Sequence, residues 1–187
     1  MEKCVVFIGI KHCGKSTQGK LLAQKLQCEF KDSDELLSAE YMIQYAASRE
    51  EAAPRAIMLR HGEDFFRRFE ADVIRKILNS SADNAGVLAL GGGVPDNPFL
   101  CSAELKKLGV LVYLDVAPRL AFERIAAGGI PPFLAGEDPR GKFMDLFEKR
   151  TPRFREIADI TVKVPDEPVA EDLCGVIYKE LADKCLI

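Results

Sequence analysis

Residues 9–17 read Gly-Ile-Lys-His-Cys-Gly-Lys-Ser-Thr, which is the pattern G-x-x-x-x-G-K-[ST]. The chemistry of this run is phosphate binding. Successive backbone N–H groups of such a turn converge on one point, and the helix that follows adds the positive end of its dipole. Lys15 would reach the β- and γ-phosphates of a nucleotide, and the Ser16 hydroxyl would hold Mg²⁺. Gly9 and Gly14 provide backbone freedom that a residue with a Cβ lacks.

Asp32-Ser33-Asp34 is the next group with chemical potential. In an extended segment, side chains at i and i+2 point to the same side of the chain. Near a phosphate loop, Asp32 could reach Mg²⁺ through the ion's water shell. Asp34 could accept the proton of an acceptor hydroxyl. Read without that context, the same three residues describe a solvated acidic turn.

Further along, Arg67 and Glu70 stand three apart within Gly62-Glu63-Asp64-Phe65-Phe66-Arg67-Arg68-Phe69-Glu70 and share a helix face. Arg67 can offer a planar fork to a carboxylate, or simply pair with Glu63 or Glu70 on a wet surface. Gly91-Gly92-Gly93 follows the apolar run ending at Leu90. Three glycines at the carboxyl end of a strand let a ligand approach the backbone closely, and open α/β sheets bind ligands at that end. Arg150, in Arg150-Thr151-Pro152-Arg153-Phe154, is placed near a helix end by Pro152. It reads as a second clamp on an anion or as a cation at a helix C-terminus.

The elements that must position these groups alternate. Strands are expected over Val5–Ile8, Val87–Leu90, Val110–Leu114 and Ile160–Val164, with a short one over Cys28–Lys31. Helical spacing follows the loop at Leu21, Leu22, Lys25 and Leu26, and recurs over Glu63–Leu78, Leu120–Ala126, Lys142–Arg150 and Val169–Leu181. Such alternation implies a parallel sheet with helices on both faces. One domain of 187 residues is expected, with two excursions. Residues 35–62 are helix-rich and polar. Residues 127–141 are dense in glycine and proline and read as a lid over the site.

Composition narrows the partners. A net charge of −3 argues against nucleic acid, which favours a basic surface. The six cysteines form no C-x-x-C pair, and neither histidine is near a cysteine pair, so neither a zinc site nor a disulfide framework is expected and a reducing cytoplasm fits. No apolar run approaches the ~20 residues that span a bilayer, and no signal peptide is visible at Met-Glu-Lys.

The ordered set of motifs over residues 4–164 resembles the shikimate kinase family. The family's phosphate loop resembles Gly9–Thr17, and its D-[ST]-D resembles Asp32-Ser33-Asp34. Its G-E-x-x-F-R-x-x-E resembles Gly62 to Glu70, its glycine triplet resembles Gly91-Gly92-Gly93, and its R-x-P-x-[YF] resembles Arg150 to Phe154. The resemblance implies a three-layer P-loop kinase fold of the nucleoside-monophosphate-kinase type, with a five-stranded parallel sheet. It implies transfer of the γ-phosphoryl group of ATP to the 3-hydroxyl of shikimate with Mg²⁺; nothing in the sequence demands an oligomer, and a monomer is expected.

The roles implied are then specific. Gly9, Cys13, Gly14, Lys15, Ser16 and Thr17 bind the nucleotide, with Arg124 near the adenine. Ser16 and Asp32 serve the metal, Lys15 and Asp34 are catalytic, and Asp34, Arg67, Gly91, Gly92, Gly93 and Arg150 bind shikimate. A gluconate-type or nucleotide kinase, or a weakly active nucleotide-binding sensor, would share the loop and the sheet.

Three departures from the family pattern stand out. The family's lid carries R-P-[LF]-L, where this chain reads Pro131-Pro132-Phe133-Leu134, so the lid arginine is replaced by Pro131. Arg140 or Lys142, later in the lid, could swing in instead. The pattern T-G-x-S-I-x-x-[IL]-F is not recognisable between Asp34 and Gly62. The loop interior Lys11-His12-Cys13 is bulkier than the family's small residues, and Cys13 is either a reactive thiol beside Lys15 or a tolerated small residue.

Overall fold

The computed structural model describes residues 4–80, 86–167 and 169–187. The N-terminal Met-Glu-Lys, on which the signal-peptide expectation rests, lies outside them. Five strands form one sheet: β1 (Val5–Ile8), β2 (Phe30–Asp32), β3 (Val87–Ala89), β4 (Val110–Val116) and β5 (Ile160–Val164). Their spatial order is β2-β3-β1-β4-β5, and every pairing is parallel.

The residue types explain the order of burial. All four residues of β1 have no exposed surface, as a central strand covered on both faces requires. At the edge, β5 alternates, with Ile160, Val162 and Val164 buried and Thr161 and Lys163 outward. The helices are α1 (Lys15–Leu26), α2 (Ser33–Tyr45), α3 (Pro54–His61), α4 (Glu63–Asn79), α5 (Ser102–Lys107), α6 (Pro118–Ala127), α7 (Pro139–Ile157) and α8 (Ala170–Asp183). They cover both faces of the sheet, with α1 against α8 and α6 against α7.

Residues 35–62 are built around a small core of their own. Leu37 and Tyr41 of α2, Ala52, Ile57 of α3, and Phe66, Phe69 and Val73 of α4 bury one another apart from the main core. Tyr41 Oη meets His61 Nε2 at 2.7 Å, and the His61 ring stacks on Phe65 at 4.3 Å.

Two expectations need correction. The segment Asp32-Ser33-Asp34 is not extended throughout. Asp32 ends β2 and caps α2, its Oδ1 accepting from Asp34 N at 3.0 Å, so Asp34 already belongs to a helix. An aspartate at a strand's end followed by helix-forming residues is a favourable N-cap. The helix bearing Arg150 does not stop at Pro152 either. It begins at Pro139, capped by Asp138 Oδ1 on Gly141 N at 2.8 Å, and continues through Pro152 to Ile157. An interior proline costs about 3 kcal/mol. Burial of Phe147, Thr151, Phe154 and Ile157 along one face, with Pro152 exposed, offsets that cost. Arg150 is therefore mid-helix, not at a C-terminus.

Candidate active site

The strand order brings three carboxyl ends side by side. β3 lies between β2 and β1, with Asp32 level with Ala89 and Ala89 level with Phe7. The turn after β1, the glycine triplet after β3 and the acidic start of α2 therefore open into one crevice, where α/β sheets bind ligands.

The turn after β1 has the geometry of an anion cradle. Gly9 has φ 143° and Gly14 φ 104°, both in the region that favours glycine. A methyl on Gly9 would also lie 2.8 Å from Cys13 Sγ. Cys13 is accordingly buried, and it packs the turn from within. Lys15 Nζ folds back on the turn, donating to Gly9 O at 3.0 Å and Ile10 O at 2.9 Å. Ser16 and Thr17 are exposed in the first turn of α1. His12 takes a left-handed φ of 62°, and its ring lies over Gly128 at the end of α6. Its imidazole is held below the usual range by burial first, then by Lys11, Lys15 and Arg124. Arg124, in the last turn of α6, donates from Nη1 to His12 O at 3.4 Å, which places a guanidinium beside the cradle.

Ser16 Oγ donates to Asp32 Oδ2 at 2.6 Å, tying α1 to the end of β2. A hydroxyl and a carboxylate at the mouth of a phosphate cradle are hard oxygen donors, which suit Mg²⁺. No group of three or more His, Cys, Asp or Glu side chains is placed to hold a metal among the described residues. Such a pair is compatible with an ion that takes most of its ligands from phosphate and water.

Asp34 lies beside the triplet, so that a methyl on Gly91 would sit 2.6 Å from its Oδ1. The residue opens to solvent at the cleft, yet the protein mass around its carboxyl pushes the pKa up, and the charge of Asp32 adds to this. Lys15 and Lys11 oppose the rise. Ser33, buried, holds the triplet in place by accepting from Gly91 N at 2.8 Å.

Two guanidinium groups close the far side. Arg67 of α4 points at Gly93, where a methyl would lie 2.5 Å from Nη1. It pairs with Glu70 at 2.9 Å and with Glu63 at 3.6 Å. The pairing foreseen for a wet surface exists, but Arg67 is only 13 % exposed and Glu70 6 %, so it is internal. Glu70 is pushed up by burial, which outweighs Arg67 and Asn97; the nearby Asp34 charge adds to the rise. Arg150 of α7 donates from Nη1 to Gly92 O at 3.3 Å. Its Nε is buried without a hydrogen-bond acceptor, and the nearest carboxylate oxygen recorded for it, Asp96 Oδ2, stands 3.5 Å away as an ion pair. Burial first, and then Arg67, lower its pKa.

None of the three triplet glycines has a positive φ. What requires glycine there is space. Two supporting residues escape the sequence reading. Buried Asn97 donates from Nδ2 to both Glu70 Oε2 and Arg67 O, each at 2.8 Å. Asp96 faces Arg150 and Lys149. The only local signal was the turn-like Val94-Pro95-Asp96-Asn97, which carries no hint of α4 or α7 as partners.

A family model described as shikimate kinase matches residues 11–185. The chain belongs to the shikimate kinase family. The shikimate kinase of Caldanaerobacter subterraneus subsp. tengcongensis is 34 % identical over 180 residues, covering 95 % of this chain and 97 % of that one. That of Rhodococcus erythropolis is 31 % identical over 187 residues, covering 98 % and 100 %. Among solved structures, a shikimate kinase from Acinetobacter baumannii in complex with shikimate superposes with a TM-score of 0.81 at 30 % identity, over 99 % of this chain and 96 % of that one. The shikimate kinase of Aquifex aeolicus gives 0.69 at 27 % identity, over 98 % of both chains.

Proposed function

We propose that this chain transfers the γ-phosphoryl group of ATP to the 3-hydroxyl of shikimate, yielding shikimate 3-phosphate and ADP, and that it does so as a monomer in the cytoplasm with Mg²⁺. The observation that carries the reading is the convergence of Arg67 and Arg150 on Gly92-Gly93, one strand away from the phosphate cradle. Arg150 Nε lacks an acceptor, and a carboxylate between the two guanidinium groups would supply one.

Each residue then has a defined task. The backbone of 9–14 and Lys15 hold the phosphates, which requires Lys15 to release Gly9 O and Ile10 O. Ser16 and Asp32 would hold Mg²⁺, whose charge neutralises phosphate oxygens. Arg67 and Arg150 fix the carboxylate of shikimate, and Gly91 to Gly93 let its ring lie against the backbone. Asp34 orients the 3-hydroxyl and takes its proton as the oxygen bonds to the γ-phosphorus. The bond from that phosphorus to the β,γ-bridging oxygen breaks, and its electron pair leaves with ADP. In such transfers catalysis is chiefly positioning and charge stabilisation. Arg124 supports the adenine. Residues 35–62 form the substrate-binding subregion and 127–141 the lid of a single kinase domain. No helix among the described residues is long and apolar enough to cross a membrane.

The test is ADP release with shikimate, gluconate and nucleoside monophosphates offered in parallel. Shikimate is expected to stimulate release, and the other acceptors are not. Stimulation by another acceptor alone would reassign the substrate. ATP binding with no stimulation by any acceptor would leave a nucleotide-binding relative without kinase activity.

A further inference from the structure

Each glycine of the triplet meets a different wall of the cleft. A methyl on Gly91 would lie 2.6 Å from the Asp34 carboxylate and one on Gly93 2.5 Å from the Arg67 guanidinium. Between them, a methyl on Gly92 would lie 2.9 Å from the backbone N of Lys11. Lys11 therefore stands at the seam where the phosphate cradle touches the acceptor side. The same Gly92 receives Arg150 on its carbonyl.

The Lys11 side chain differs from those of Lys15 and Lys142 in having no bound acceptor among the described residues, a state it shares with exposed Arg140 of the lid. Lys15 Nζ has two backbone acceptors, and Lys142 of the lid donates to Ala135 O at 2.6 Å. Lys142 is thereby anchored within its own lid. Lys11 is exposed at the cleft, and no carboxylate lies within ion-pair distance of it among the described residues. Its charge nevertheless acts on both Asp34 and His12, one on each side of the seam. A flexible four-carbon stem carrying a point charge can follow a moving phosphoryl group.

We propose that Lys11 is a catalytic residue whose ammonium contacts the γ-phosphoryl group during transfer, from the acceptor side of the cradle. This rests on the kinase reading above. Lys11 takes no part in proton transfer; the hydroxyl proton still passes to Asp34 and the breaking bond still leaves its electrons with ADP. The contribution is charge. Negative charge spreads over the three equatorial oxygens of the phosphoryl group in the transition state. A cation fixed at that position is worth more there than in the ground state.

The experiment uses Lys11→Met, which retains length without charge, and Lys11→Arg. Binding of ADP and of the β,γ-imido analogue of ATP, each with Mg²⁺, is measured by calorimetry with no acceptor present. Lys11→Met is expected to weaken the imido analogue about tenfold and leave ADP nearly unchanged, because only the former carries a γ-phosphoryl group. With shikimate, its kcat is expected to fall about 100-fold with little change in KM for the acceptor, and Lys11→Arg to restore most of it. Equal weakening of both nucleotides, or an unchanged kcat, would overturn the proposal and make Lys11 a mere spacer of the loop. If the wild-type chain fails to phosphorylate shikimate while the analogue alone still loses affinity in Lys11→Met, the acceptor assignment falls and the Lys11 contact stands.

Discussion

The guanidinium of Arg67 occupies the space in which a side chain at Gly93 would begin, since a methyl there would lie 2.5 Å from Nη1 and 3.0 Å from Nη2. α4 and the turn after β3 thus meet through the absence of one carbon atom. The guanidinium cannot simply swing aside, because Glu70 holds it at 2.9 Å. Gly93→Ala should therefore displace the carboxylate clamp without disturbing the sheet. KM for shikimate should rise about tenfold, the worth of one charge-assisted hydrogen bond, and the melting temperature should fall as the buried Arg67–Glu70 pair is strained, while KM for ATP stays close to wild type. Equal rises in both KM values would show that the clamp is not at Gly93.

Glu70 fixes Arg67 from below, and Asn97 fixes Glu70. Glu70→Ala removes the nearer partner of a largely buried cation, leaving it only Glu63 at 3.6 Å, and takes one of the two acceptors from Asn97 Nδ2. A loss of about 3 kcal/mol in unfolding free energy is expected, together with a raised KM for shikimate. Asn97→Ala should give a smaller loss in the same direction, about 1–2 kcal/mol. Urea titration with parallel kinetics checks both, and an unchanged midpoint for Glu70→Ala would contradict the support role.

As the proposed base, Asp34 should set an acid limb. Its pKa lies above the ordinary 3.8, through burial first and Asp32 second. The carboxylate accepts a proton only when ionised, so kcat should fall as pH drops through the raised value, at a higher pH than a free aspartate would dictate. The sign for stability is opposite. A raised carboxyl pKa contributes stability below the unfolded value and loses it as pH rises through the folded one. Asp34→Asn should thus be inactive, yet more stable than wild type at neutral pH, with the difference closing in acid. A variant that is less stable at pH 7 would speak against the burial argument.

Pro131 offers no charge in the lid, and its carbonyl accepts from Leu134 N at 2.9 Å within the short turn 132–134. With Lys11 supplying charge from the other side of the cleft, Pro131→Arg should change kcat by less than about tenfold. A lid arginine that was truly missing would instead be expected to raise it by about 1000-fold or more. Steady-state kinetics with shikimate distinguishes the two.

Local sequence carried much of this. The loop motif, the apolar run before it and the helical spacing after it define strand, turn and helix within about twenty residues, because backbone conformation and burial pattern there depend on near neighbours. The glycines at 91–93 mark a close approach even when nothing says to what. Where the reading slipped, a longer-range force had overridden a local preference. Pro152 is a helix breaker by propensity, and burial of Phe147, Phe154 and Ile157 carries α7 through it. Asp34 follows a strand, and capping by Asp32 turns it into the helix.

What residue types and spacing alone determined was a G-x-x-x-x-G-K-[ST] run between strand and helix patterns, a glycine triplet and two arginines in separate helical segments. Only the tertiary structure decided that they share one cleft. Arg67 and Arg150 lie 83 positions apart in sequence, and no spacing rule relates them. They meet at Gly92-Gly93 because β3 inserts between β2 and β1, and α4 and α7 pack where that order leaves room. Strand order is set by which crossovers bury the most apolar surface over the whole chain, a property that no local window of sequence contains.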